Sequence, residues 1–135
     1  MKFYLSIALS LFILSTALFA EKNPVPRFVS LKSNEINARV GPGPLYPVEW
    51  IYLKAGLPVE VIAEFDNWRK IRDQEGSEGW VHQSMLCGKR HGIIQRTETQ
   101  IYSARDTKSQ PLVRLEPGVI VEVLKCQEEW CQVRV

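Results

Sequence analysis

Leu53 to Val81 reads LKAGLPVEVIAEFDNWRKIRDQEGSEGWV. Val59, Val61 and Ala63 alternate with Pro58, Glu60, Ile62 and Glu64, the period of two that marks a strand with one buried face. Asp66-Asn67 supplies turn chemistry, Trp68 to Ile71 forms a second strand, and Asp73 to Gly79 turns the chain again. Gly79-Trp80-Val81 opens a third strand. The pattern then returns: Leu115 to Arg134 lies on Leu53 to Arg72 without a gap, at an offset of about 62 residues. Gly56 falls on Gly118, Val59 on Val121, Glu60 on Glu122, Val61 on Val123, Trp68 on Trp130 and Ile71 on Val133. The repeat predicts two copies of one small β unit.

Outward from that core the chain divides by composition. Residues 1–20 begin with Lys2, run apolar from Phe3 to Phe19 and end on Ala17-Leu18-Phe19-Ala20 before the charged Glu21-Lys22. This is the pattern of a secretory signal peptide cleaved after Ala20. An uncleaved anchor is the alternative, because the run is almost long enough to span a bilayer. Small residues at its end and the lack of a following basic cluster favour cleavage, which leaves no membrane segment. No cysteine opens the mature chain, which argues against a lipoprotein. About 115 residues remain, enough for one ordinary domain or two very small ones, and units this small are marginal alone. With 17 basic and 15 acidic residues the charge is too balanced for a nucleic-acid partner, which requires a concentrated basic face.

Residues 21–27 form an extended linker, since the prolines of NPVPR resist both helix and sheet. The first unit occupies 28–87, the connector 88–92 and a partial second unit 93–135. Phe28 to Leu31 is a short strand; Asn34 to Val40 is the next, with Ile36, Ala38 and Val40 on one face and Asn37 and Arg39 on the other. Gly41-Pro42-Gly43-Pro44 breaks it. Tyr46 to Tyr52 continues through Pro47, which is confined to a loop or an edge, and Ser84-Met85-Leu86 closes the unit. Thr99 to Arg105 takes the place of Ile36 to Pro42 if one extra residue is allowed, and Asp106 to Pro111 replaces the glycine-proline loop. The mature chain shows no helical periodicity of useful length.

Cys126 and Cys131 flank Gln127-Glu128-Glu129-Trp130, so they stand across a turn between two strands. In an exported chain these facing positions predict a disulfide. Cys87 is then left over. With His82 and His91 it makes neither a catalytic cysteine set nor a closed metal site, so no cofactor and no enzymatic activity are expected.

The ordered motifs Asn37-Ala38-Arg39-Val40-Gly41-Pro42-Gly43, Gly56, Val59, Val61, Trp68-Arg69-Lys70-Ile71 and Gly79-Trp80-Val81 resemble the bacterial SH3-like (SH3b) domain. The resemblance covers Phe28 to Leu86 well and Ile93 to Val135 in part. It implies small all-β barrels of five to six strands in tandem, exported, with a binding or targeting role toward cell-wall peptidoglycan or peptides. The second copy is diverged: it carries Tyr102-Ser103-Ala104-Arg105 in place of the N-x-R-x-G-P pattern, and Cys126 and Cys131 where the first has Glu64 and Arg69. A tryptophan matching Trp80 would fall beyond Val135, so the second barrel is expected to lack its closing strand. A chain that stops in mid-strand reads as a fragment of a longer protein; a partner at the open edge, or a unit that stays partly open, are the alternatives.

The candidate ligand-binding residues are Arg39, Tyr46, Trp50, Trp68, Asp73 and Trp80. Trp68 is out of phase with Ile71, so its face is not the core face. The structural alternative has Trp68 covering the barrel rim and Trp80 in the core, with Arg39 exposed or paired with an acid such as Asp73. The expected function is non-enzymatic binding of peptidoglycan or of a periplasmic peptide or protein segment. A purely structural interaction module and the targeting portion of a cell-wall hydrolase are the alternatives.

Overall fold

The computed structural model describes residues 23–95 and 97–135; the proposed signal peptide lies outside the described residues. The first unit contains β1 (Arg27–Leu31), β2 (Ile36–Arg39), β3 (Val48–Tyr52), β4 (Pro58–Phe65), β5 (Trp68–Arg72), β6 (Glu78–His82), a single 3-10 turn (Gln83–Met85) and β7 (Leu86–Cys87). They form one antiparallel sheet in the order β3-β2-β6-β5-β4-β1-β7. Its inward residues meet in one cluster, Leu31, Ile36, Ala38, Tyr52, Val59, Val61, Ile71 and Val81. Strands from both ends of the sheet contribute, so the sheet curls around its own core, as it must to bury one apolar face in so short a chain. The alternation read in β4 is realised: Val59 and Val61 are buried, with a bulge between Val61 and Ala63.

The second unit contains β8 (His91–Ile93), β9 (Thr99–Tyr102), β10 (Pro111–Leu115), β11 (Ile120–Gln127) and β12 (Trp130–Arg134). β8 takes up His91 and Gly92, which the sequence assigns to the connector. Gly56 and Gly118 occupy the same turn of their units with φ of +79° and +89°, backbone that a side chain would strain. Their N–H groups donate to Leu31 and Ile94 carbonyls at 2.8 and 2.7 Å. The Cys126–Cys131 disulfide is formed and Cys87 is a free thiol.

The units differ in closure. In the first, β6 lies between β2 and β5 and joins the β2–β3 ribbon to the rest. Among the described residues of the second unit nothing takes that place. β12 pairs with β11 alone, and β9–β10 stands as a separate two-stranded sheet. Tyr102 and Trp130 bridge the two sheets edge to face, 5.9 Å between ring centroids, and the Arg105 guanidinium donates to Gln127 Oε1. The fold is all-β, with an incomplete second barrel.

Two strand limits differ from the sequence reading. β2 ends at Arg39, which pairs with Val48 just past a bulge that leaves Glu49 of β3 as the extra residue. Val40 lies beyond the strand, exposed in the loop, its N–H donating to the Pro47 carbonyl. Tyr46 and Pro47 belong to that loop, and β3 starts at Val48.

Candidate functional site

Ile71 and Val81 point into the core, so the residues that alternate with them point out. On β5 these are Trp68, Lys70 and Arg72; on β6 they are Glu78, Trp80 and His82. The register sets Trp68 against His82, Lys70 against Trp80 and Arg72 against Glu78. β2 adds Arg39, directly opposite Trp80 on its other side. Trp68 and Trp80 are thus diagonal neighbours on one face, with Lys70 and His82 completing the square. All four are half-buried. Trp68 meets the His82 ring edge-on at 5.5 Å, and Lys70 Nζ lies 3.1 Å from Glu78 Oε2.

Arg39 carries the face toward the loop that follows β2. Its Nη1 donates to the Tyr46 carbonyl at 2.8 Å. The Tyr46 ring packs so closely on Gly41 that a Cβ there would collide with it, the requirement that glycine meets. With its ring on the two buried glycines, the loop turns its remaining apolar residues outward: Leu45 is 97% exposed, and Val40 and Val48 are exposed beside it. Flat aromatic area, two cations and a rim of exposed apolar side chains suit a ligand that is extended, partly apolar and rich in backbone acceptors.

The family model described as bacterial SH3 domain matches residues 32–88 and again residues 95–135. The chain belongs to the bacterial SH3 domain family. A search of curated proteins gave no match. Bacterial SH3 domains are generally binding modules, often linked to the cell wall, and are not generally catalytic. Among the described residues no three His, Cys, Asp or Glu side chains gather as metal ligands would, and no helix is long and apolar enough to cross a membrane.

Within the first SH3 unit the six candidate residues separate. Arg39, Trp68 and Trp80 share the outer face, and Tyr46 is tied to it through Arg39. Trp80 is not core; its neighbour Val81 is. Trp50 stands opposite Ala38, so it turns inward, packs against the core and meets Tyr52 edge-on at 6.3 Å. Its buried Nε1 has no hydrogen-bond partner. Asp73 does not pair with Arg39. It holds the β5–β6 turn, accepting from the Glu75 and Ser77 N–H groups at 2.9 and 3.0 Å and from the Tyr52 hydroxyl at 3.1 Å. Burial foremost, and then the Asp73 carboxylate, push the Tyr52 phenol up to about 12.

Lys70 and His82 were not among the ligand-binding candidates read from the sequence, although each stands two positions from a tryptophan on an alternating strand. In the second SH3 unit the face is not repeated: Gln132 replaces Lys70, Tyr102 replaces Arg39, and among the described residues nothing corresponds to Trp80.

Proposed function

We propose that the chain is an exported, non-catalytic binding protein whose first SH3 unit holds an extended peptide on the face of Arg39, Trp68, Lys70 and Trp80. A peptidoglycan stem peptide is the ligand we favour. The observation that carries the reading is the outward pairing of two half-exposed indoles with two cations on a sheet face. No core requirement calls for aromatic residues there, since Ile71 and Val81 fill the interior from the same strands. Export is supported by the disulfide, which persists in oxidising compartments, and by the apolar leader.

The test is retention on purified peptidoglycan. Trp68→Ala and Trp80→Ala are expected to abolish retention while leaving the melting temperature nearly unchanged. Truncating a core aromatic costs about 3–5 kcal/mol; a loss of that size in either variant, or retention like that of the parent, contradicts the assignment.

A further inference from the structure

Trp68 leans on a short turn whose cap is a histidine. The 3-10 turn Gln83–Met85 follows β6 directly, with His82 in the capping position. Helix caps are ordinarily Ser, Thr, Asp or Asn, whose side-chain oxygen remains an acceptor near neutral pH. Here the acceptor is His82 Nδ1, which takes the Ser84 N–H at 3.2 Å. The Ser84 hydroxyl stands 2.7 Å from the same nitrogen. A hydroxyl turns to donate or to accept, but a main-chain N–H only donates. The Nδ1 is therefore bare in this arrangement, and the proton of the neutral ring sits on Nε2.

The same turn grips the chain on both sides of Trp68. The Gln83 N–H donates to the Asn67 carbonyl at 2.8 Å, and Gln83 Nε2 donates to Asn67 Oδ1 at 3.1 Å. On the far side Arg69 Nη2 donates to Gln83 Oε1 at 2.9 Å. The capping ring itself faces Trp68 across the β5–β6 ladder, edge to face. Backbone and indole thus rest on one cap. The charged groups around the imidazole are mostly cations. Lys70 stands diagonally on β5 and is paired with Glu78, Arg69 is held by Gln83 and Glu64, and Arg39 lies beside Trp80 on β2. A proton taken up where imidazoles titrate, about pH 5–8, has only Nδ1 to go to. Two donors would then face each other at 3.2 Å, so the ring must leave the Ser84 N–H and, with it, its place against Trp68.

We propose that His82 is a positioning residue for Trp68 and holds the indole ready for ligand only while its imidazole is neutral. The proposal rests on the assignment of the tryptophan face to binding, but its structural half is read on the free protein. The test pairs NMR of the full chain between about pH 8 and about pH 5 with retention on purified peptidoglycan over the same range. At the alkaline end His82 Nδ1 is expected to show the nitrogen shift of an unprotonated site, and the Trp68 indole resonance is expected to move as His82 titrates. Retention should weaken by about fivefold or more on the acid side, the size of a lost cap. His82→Asn supplies a capping oxygen that does not titrate, so in this variant the Trp68 resonance and the retention are expected to lose their pH dependence. A protonated Nδ1 at the alkaline end, a Trp68 resonance indifferent to His82, or an acid loss that persists undiminished in His82→Asn overturns the inference. Failure of the parent to be retained at any pH refutes the peptidoglycan reading instead, and the NMR result then decides this one alone.

Discussion

The β4–β5 and β11–β12 hairpins repeat one another closely and yet sit in different surroundings. Asp66 and Glu128 lead their turns with φ of +50° and +55°. Each first strand carries its bulge at the same step, between Val61 and Ala63 or between Val123 and Lys125. Arg72 meets Glu60 at 2.9 Å as Arg134 meets Glu122 at 2.8 Å. Where Glu64 and Arg69 make an ion pair at 3.1 Å, Cys126 and Cys131 make a disulfide. Burial separates them. Val61 and Ile71 are fully buried, whereas Val123 and Val133 are only half-buried. A hairpin of this kind is specified by its own turn, bulge and cross-strand pairs; the depth of the core beneath it depends on whether a strand in the position of β6 closes the barrel. The covalent link lies in the unit with less buried apolar surface, where small domains commonly rely on one.

The largest difference between the two hairpins is expected in core truncation. Ile71→Ala should cost about 2–5 kcal/mol, and Val133→Ala clearly less, since its side chain is already partly solvated. Urea unfolding of each variant measures this, and equal losses would show the second core to be as tight as the first.

Next in size is the cross-link. Replacing Cys126 and Cys131 by serine is expected to cost about 2 kcal/mol in the chain-entropy picture. The matching change in the first unit, Glu64→Gln, should cost less than about 1 kcal/mol, because the ion pair is partly exposed. A loss on Glu64→Gln as large as on cysteine replacement would remove the distinction.

A smaller effect belongs to the first unit alone. The Tyr52 phenol is raised from 10.0 to about 12, so above its ordinary value the unfolded chain releases a proton that the folded chain keeps. Stability is then expected to fall as pH rises from about 10 toward 12. Tyr52→Phe should lose about 1 kcal/mol at neutral pH with the Asp73 hydrogen bond and flatten the alkaline decline. An unchanged decline in that variant would assign it to another group.

Much of this was legible in the sequence. Period-two alternation gave the strands around Val59 and Val61, the phase of Trp68 against Ile71 put its ring outside, and the spacing of Cys126 and Cys131 across a turn gave the disulfide. What was not legible depends on long-range placement. β2 stops at Arg39 and leaves Val40 exposed in the loop, and pairing with β2 sends Trp50 inward, neither of which an alternating pattern reveals. Asp73 is consumed by its own turn and by Tyr52, which β3 brings to it. Ser30 Oγ and His91 Nδ1, 2.9 Å apart, are partners only once the units are packed together.

The central claim is that β12 has one partner where β5 has two. Hydrogen exchange resolved by residue across Trp68–Arg72 and Trp130–Arg134 tests it most directly. The amides of β12 directed away from β11 are expected to exchange rapidly, while those of β5 directed toward β6 stay protected. Equal protection along both strands would contradict the account.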